Sequence, residues 1–120
     1  MVNPEPTASR IFDTAHYFQP AAGEPIRSVI VETAEATVVA WHLWPDQEIA
    51  PHRHPHGQDS WTVLQGHGLY SLSESERQPI AAGDVVIAPV GHIHGVRNTG
   101  TEPLRLISVV TPAAAGYVPV

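Results

Sequence analysis

Histidine is the residue type in this chain that is most suited to chemistry. Eight of the 120 residues are histidine, and five of the eight lie in two short clusters, residues 52–56 and 92–94. The chain has no cysteine, which excludes disulfides, thiolate catalysis and cysteine-based metal sites. Any metal ion would therefore have to be bound by imidazole, carboxylate or amide groups.

His52 and His54 have the spacing of two neighbours on one face of a β-strand. Side chains at i and i+2 point the same way, so the two imidazoles would converge on one point. Imidazole is a common ligand of zinc, copper, iron and nickel. We interpret the pair as half of a metal site that the second cluster, residues 92–94, completes. The isolated histidines are interpreted as packing or surface residues: His16, His42 and His67.

The elements that must position these histidines are predicted to be short β-strands. The chain contains 9 glycines and 12 prolines, too many turn formers for a helical bundle. No stretch combines helical periodicity with the length of a helix, and the spacing of the apolar segments is typical of a sandwich or barrel. We therefore predict an all-β, antiparallel fold. The main expected strands are 26–32, 36–44, 59–65, 69–72, 77–80, 85–88, 92–98 and 104–110.

Length and charge limit the domain count and the class of partner. A chain of 120 residues forms one domain; we expect a flexible lead-in at 1–10, a barrel at 11–112 and a tail at 113–120. The net charge of −6 disfavours a nucleic-acid partner. No secretory signal and no apolar run of about 20 residues is present, so we expect a cytoplasmic protein with no membrane partner.

Two segments of the chain resemble the two motifs of the cupin superfamily, in particular of its small single-domain members. The second cupin motif, G(X)5PXG(X)2H(X)3N, is matched at every fixed position. The matching residues are Gly83, Pro89, Gly91, His94 and Asn98. The first motif, G(X)5HXH(X)3,4E(X)6G, is matched at His52, His54 and Gly66, with Asp46 in place of its opening glycine and Asp59 in place of its glutamate.

The resemblance implies an antiparallel double-stranded β-helix, the jelly-roll or cupin barrel, with one divalent metal ion per chain. The implied ligands are His52, His54, His94 and the acidic position. Because aspartate is one methylene shorter than glutamate, the fourth ligand stays open between Asp59, the amide of Gln58 and water. Iron(II) is the favoured ion, and zinc, nickel, manganese and copper are alternatives.

Other residues are candidates for the surroundings of this metal. We expect Trp61 and Val63 to line a substrate pocket, and His56, His92 and Tyr70 to support the ligands or to act in acid–base steps. With iron(II), three protein ligands leave positions for both a substrate and O₂. With another ion, the metal would polarise a carbonyl for isomerase or lyase chemistry.

The sequence therefore predicts a small metal-dependent enzyme, dioxygenase-like or an isomerase or lyase, that acts on a small organic molecule. The alternative is a non-catalytic module that binds a small ligand or senses a metal. One barrel hosts many chemistries, so the resemblance does not decide between them. We also expect a homodimer that buries the apolar strands 26–31 and 38–44, because exposed sheet faces and edges need covering.

Overall fold

The computed structural model describes residues 9–120, which form two antiparallel sheets of five strands each. The lead-in predicted for residues 1–10 falls almost wholly outside the described residues. A 3₁₀ turn at Thr14–His16 precedes the strands. No helix of this part of the chain is long and apolar enough to cross a membrane. The strands are β1 (Ser28–Glu32), β2 (Thr37–Leu43), β3 (Glu48–Arg53), β4 (Gln58–Gln65), β5 (His67–Ser71), β6 (Arg77–Ala81), β7 (Val85–Ala88), β8 (His94–Arg97), β9 (Leu104–Thr111) and β10 (Val118–Pro119).

The strand order shows that the chain crosses repeatedly between the two sheets. The first sheet has the order β1-β2-β9-β4-β7 and the second β10-β3-β8-β5-β6. All of these pairings are antiparallel, and most neighbours in a sheet are distant in sequence. This arrangement is the antiparallel double-stranded β-helix expected from the sequence, so the predicted fold class is confirmed.

The inner faces of the sheets change from a packed core to an open cavity along the strands. Burial alternates strictly along β9, as expected for a strand with one face inside the barrel. Leu104 and Leu106 of this strand belong to the hydrophobic core, whereas Ser108 and Val110 line the cavity. The packed half stabilises the closed barrel, and the cavity in the other half leaves room for a functional site.

Strand β3, which carries His52 and ends one residue before His54, is missing from the expected strands because Pro51 lies within it. The pairing of β3 with β8 shifts register between Ile49 and His52, which is the irregular stretch that contains Pro51. A proline lacks the N–H that a regular ladder needs, and bulges are one of the places where strands tolerate it. Proline therefore marks a bulge here and not the end of a strand.

The C-terminal residues are docked on the barrel. Strand β10 pairs with β3, with Val118 opposite Arg53 and Pro119 opposite His52. The His56 N–H donates to the carbonyl of Ala115 at 2.8 Å, and Ala115 is buried. The segment predicted as a tail thus forms part of the wall around the first histidine cluster.

Two positions of the cupin motifs have structural roles in the turns. Asn98 is fully buried, and its Nδ2 donates to the carbonyls of Leu43 and Glu102 at 3.0 and 2.9 Å. These bonds, together with the bond that Asn98 Oδ1 accepts from the Gly100 N–H at 2.9 Å, fix the turn that follows β8. Asp46, at the position of the first motif's opening glycine, has φ 71°, a left-handed conformation that aspartate tolerates better than most residues. The substitution therefore keeps the turn.

Candidate metal centre

Four side chains from both sheets converge inside the open half of the barrel: His52, His54, Asp59 and His94. Each offers a potential ligand atom, and these atoms all lie within 4.8 Å of one another. His52 and His94 lie opposite each other on β3 and β8, and their ring centroids are 4.5 Å apart. Asp59 comes from β4 in the other sheet, and His54 follows β3 directly. The cluster therefore exists only in the closed barrel.

Two of the three imidazoles are oriented by backbone carbonyls. His52 Nδ1 lies 2.8 Å from the carbonyl oxygen of Ala50, and His54 Nδ1 lies 2.7 Å from that of Gly116. A carbonyl oxygen only accepts, so each Nδ1 must donate a proton to it. The lone pair of a neutral ring is then on Nε2, the atom free to bind a metal.

His94 is oriented by aromatic packing. Neither of its ring nitrogens has a hydrogen-bond partner among residues 9–120, and the residue is fully buried. Its ring centroid lies 4.4 Å from that of Trp61, with the planes 35° apart, and 6.1 Å from that of Tyr70. These contacts hold the imidazole in place without using its nitrogens.

The carboxylate of Asp59 is held with one oxygen turned toward the histidines. Ser108 Oγ donates to Oδ1 at 2.6 Å, while Oδ2 lies 3.4 Å from His54 Nε2 and 3.3 Å from His94 Nε2. These last contacts are longer than a well-formed charge-assisted hydrogen bond, and both Nε2 atoms are buried without a partner. A buried, unpartnered polar atom costs about 1–3 kcal/mol. A divalent cation among the four groups would satisfy these atoms.

The charges in the cluster favour the protonation states that bind metal at two of the four groups. Burial lowers the pKa of His52 to about 4, so this ring is neutral at physiological pH. Burial alone would raise the pKa of Asp59, but the rings of His54 and His94 hold it well below its ordinary value. The contact with Asp59 raises the pKa of His54. His52 and Asp59 are therefore in the protonation states in which imidazole and carboxylate bind a metal ion.

The donor set fits a divalent transition metal. Three imidazole nitrogens and one carboxylate oxygen are ligand types shared by zinc, iron, nickel, manganese and copper sites. His52, His54 and Asp59 also line a cavity of about 570 Å³, whereas His94 lies behind it. A volume of this size is typical of small-molecule sites, which span about 300–1,000 Å³. The four residues could hold a metal ion that is open to a ligand on the cavity side.

The two residues expected to form the substrate pocket take different positions. Trp61 lines the cavity and is also part of the hydrophobic core. Val63 is buried in that core and is not among the cavity-lining residues. The pocket instead extends along β2 and β9 to Val39, Trp41 and Val110.

The candidate supporting residues also separate into two groups. Tyr70 is buried, its ring packs edge-on against that of Trp61 at 5.5 Å, and burial raises its pKa. His56 and His92 are exposed and do not line the cavity. Gln58 is exposed as well, on the face of β4 opposite to Asp59. Of the two side chains considered for the fourth ligand, Asp59 lies in the cluster and Gln58 faces away from it.

Sequence reasoning missed three groups that orient the cluster, the side chain of Ser108 and the carbonyls of Ala50 and Gly116. Ser108 had a signal, because it is the one polar residue among the inward positions of β9, which otherwise carry leucine and valine. The carbonyl of Gly116 had none, since any residue has a carbonyl and its place depends on the docking of the C-terminal segment.

Comparison with known proteins agrees with this fold. A crystal structure of an uncharacterized conserved protein with a double-stranded β-helix domain from Klebsiella pneumoniae is 48% identical, with a TM-score of 0.92 over 94% of this chain and 98% of that chain. Germin-like protein 9-3 of rice is 31% identical over 74 residues, 58% of this chain. The oxalate-binding protein of Thermotoga maritima is 29% identical over 68 residues, 57% of this chain.

The similarity covers only part of these curated relatives. The match spans 35% of the rice protein and 55% of the Thermotoga maritima protein. The family model of the cupin domain matches residues 39–110, which include both histidine clusters and most strands of the barrel. The chain belongs to the cupin family.

Proposed function

We propose that this protein is a small metal-dependent enzyme of the dioxygenase type, acting on a small organic molecule in the 570 Å³ cavity. The observation that carries the proposal is the set of unpartnered imidazole nitrogens that meet one carboxylate beside this cavity. A purely structural barrel would have no need to bring several such atoms and a carboxylate together at one point.

His52, His54, His94 and Asp59 would hold one divalent ion, for which iron(II) is the favoured identity. Bound iron(II) would supply open coordination positions for an organic ligand and O₂ together. A zinc, nickel, manganese or copper ion would instead supply Lewis acidity for isomerase or lyase chemistry. Asp59 contributes the negative charge that offsets part of the charge of the ion.

The remaining residues of the site exclude water and keep the ligands oriented. The carbonyls of Ala50 and Gly116 hold two imidazoles with Nε2 inward, and Ser108 holds Asp59. Trp61 packs against His94 on one side and forms part of the cavity wall. Such fixed donors are what a reactive metal site needs, because misplacement by about 1 Å costs roughly 100-fold in rate.

The relatives support a small ligand. One of them is an oxalate-binding protein, and oxalate is a small organic acid that fits easily into a cavity of this size. Because the chain spans about half of that protein, we only propose that this chain binds a similar ligand.

The test begins with the metal found in protein purified without added ions, followed by oxygen uptake with a panel of catechols and β-dicarbonyls. We expect one iron per chain and oxygen uptake with at least one compound. Metal binding without oxygen uptake would contradict the dioxygenase assignment and favour isomerase or lyase chemistry, or a sensing module. The absence of stoichiometric metal under all loading conditions would overturn the proposal as a whole.

Two further expectations belong to this proposal. We propose that the protein is a homodimer that pairs through the side of β1 and β2, supported by the exposed hydrophobic residues Ile26, Val29 and Trp44. Trp44→Glu should convert the dimer to a monomer in light scattering. Ile87→Glu, at an exposed position on β7 at the opposite edge of the sheet, should not. The cytoplasmic location stays a prediction.

A further inference from the structure

A positively charged side chain that is not part of the candidate metal cluster lies at the mouth of the cavity. Arg27 is the only positively charged side chain, apart from the histidines, among the residues lining the cavity. It is exposed and forms no ion pair within residues 9–120. An arginine in this state has all five N–H donors free for a planar, charged acceptor such as a carboxylate.

Two acidic residues, Glu24 and Glu48, also line the mouth, and their carboxylates would repel an anion. Arg27 is the one of these three side chains whose charge attracts an anion, so a carboxylate that enters the cavity would pair with its guanidinium.

The same mouth presents flat aromatic surface. Tyr117 lines the cavity, is 61% exposed, and lies 5.0 Å from the ring of His52 with the planes only 30° apart. Trp41 of β2 also lines the cavity and is half-buried. An exposed tyrosine held beside a metal-binding histidine by the docked C-terminal segment offers a face on which a planar group can pack.

We propose that the ligand of this cavity is a planar, unsaturated carboxylate, bound through its charge by Arg27 and through its flat face by Tyr117. This deepens the proposed function and rests on it for the place of the ligand next to the metal cluster. It narrows the ligand from any small organic molecule to an acid with a conjugated or aromatic body.

Three small probes separate the two parts of the proposal: benzoate, the neutral planar benzamide, and the non-planar anion cyclohexanecarboxylate. Binding to zinc-loaded protein is measured by calorimetry, because zinc keeps the protein free of oxidation chemistry. We expect benzoate to bind about fivefold more tightly than either control. Equal affinity for benzoate and benzamide would overturn the role of charge, and equal affinity for the two anions would overturn the role of planarity.

Substitutions test whether Arg27 recognises the charge of the ligand and whether Tyr117 recognises its flat face. Arg27→Gln should weaken benzoate about tenfold, the range of one charge-assisted hydrogen bond, and leave benzamide unchanged. Arg77→Gln, an exposed arginine outside the cavity lining, is the matched control. Tyr117→Leu should remove the preference for benzoate over cyclohexanecarboxylate, and Tyr117→Phe should keep it. Unchanged benzoate affinity in Arg27→Gln would refute the assignment.

The metal titration distinguishes failure of this inference from failure of the proposed function. Zinc that binds one per chain, together with benzoate that does not bind, would refute the planar carboxylate and leave the metal centre standing. If zinc does not bind, benzoate titrations with metal-free protein still measure the effects of substituting Arg27 and Tyr117. If neither substitution changes the binding of the probes to the metal-free protein, the inference is refuted independently of the metal centre.

Discussion

Buried histidines lie on both sides of the first sheet, and those on only one side have surroundings that suit a cation. The inner face is packed against histidines of the second sheet, whereas His42 of β2 lies on the outer face. On the inner side, three imidazoles and Asp59 converge beside the cavity. On the outer face of β2, His42 is also fully buried, and both of its ring nitrogens lack partners within residues 9–120. Burial and unpartnered nitrogens are thus common to both regions.

The neighbours of the two regions are opposite in charge. His42 lies across from Arg105 in the β2–β9 pair, and its ring packs edge-on against that of Trp44 at 4.5 Å. Burial lowers the pKa of His42, and the charge of Arg105 lowers it further. The guanidinium of Arg105 itself lies over the ring of Phe18, at 5.0 Å from the centroid. A cation would be repelled there.

A buried histidine with unpartnered nitrogens is therefore not sufficient for a metal site. The inner cluster has an anion, Asp59, held by Ser108, and several imidazoles that meet at one point. The outer region has one imidazole and a fixed positive charge. Convergence and charge therefore decide between the two.

The largest expected effect is the loss of metal on removing one ligand. His94→Ala should abolish stoichiometric metal binding, because the position deep in the barrel has no substitute donor in the cluster. His42→Ala should retain one metal per chain. Metal analysis after dialysis measures both. A His94→Ala protein that keeps metal at unchanged affinity would show that the site lies elsewhere, and it would contradict the difference drawn between the inner cluster and the region of His42.

The second effect tests the role of the anion. Asp59→Asn preserves the shape of the side chain but removes its charge, so metal affinity should fall by roughly 100-fold, given that even the outer partners of metal ligands contribute about 10–100-fold. Gln58→Ala, at the exposed neighbouring position, should leave the affinity unchanged. Competition with a chelator measures both values. An unchanged affinity in Asp59→Asn would show that water or another group occupies the fourth position.

The third effect is a pH dependence of the stability of the metal-free protein. The pKa of His52 is lowered to about 4 and that of His42 is also lowered, so below pH 6.5 the unfolded chain binds protons that the folded one does not. The free energy of unfolding should therefore fall as the pH decreases from 6.5 toward 4, by up to about 1.4 kcal/mol per pH unit for His52, and His42 adds to this fall over the part of the range above its own lowered pKa.

The raised pKa of His54 acts in the other direction. Its contribution to stability is fully present below pH 6.5 and is lost as the pH rises through the folded value. Stability should thus be greatest near pH 6.5 in urea unfolding with a chelator present. His42→Phe should reduce the acid slope, and the exposed His16→Ala should not. A slope that is the same in wild type and His42→Phe would contradict the protonation states assigned to the outer region.

The smallest effect concerns the group that orients the anion. Ser108→Ala removes the 2.6 Å hydrogen bond to Asp59 Oδ1 and should lower metal affinity about tenfold. Ser60→Ala, on the opposite face of β4, is the matched control and should have no effect. Isothermal titration of metal into both variants tests this. Equal affinities would show that the carboxylate is held without the serine.

Much of the barrel could be predicted from local pattern. Strand β7 was expected at 85–88 and found at Val85–Ala88, and β4 was expected at 59–65 and found at Gln58–Gln65. Alternation along 36–44 also predicts that Trp41 and Leu43 share one face and that His42 and Trp44 share the other. Which face points inward was not predictable, because a strand with bulky side chains on both faces has no clear polar side.

The missed elements share a physical cause. Strand β3 contains Pro51, which locally argues against a strand and is accommodated only by the bulge opposite β8. Strand β10 has two residues, too few for any periodicity, and it exists because β3 offers it an edge. Both depend on partners that are remote in sequence.

The types of the candidate ligands could be predicted from the sequence, because the absence of cysteine, the i, i+2 spacing of His52 and His54, and the intact motif around His94 are local properties of the chain. How these groups meet, and which residues orient them, depends on the tertiary structure. Asp59 reaches the cluster from the other sheet, Ser108 orients it from β9, and the C-terminal segment brings the Gly116 carbonyl to His54. Such contacts join residues about fifty or more positions apart, and their geometry follows from closure of the barrel, which no short stretch of sequence encodes.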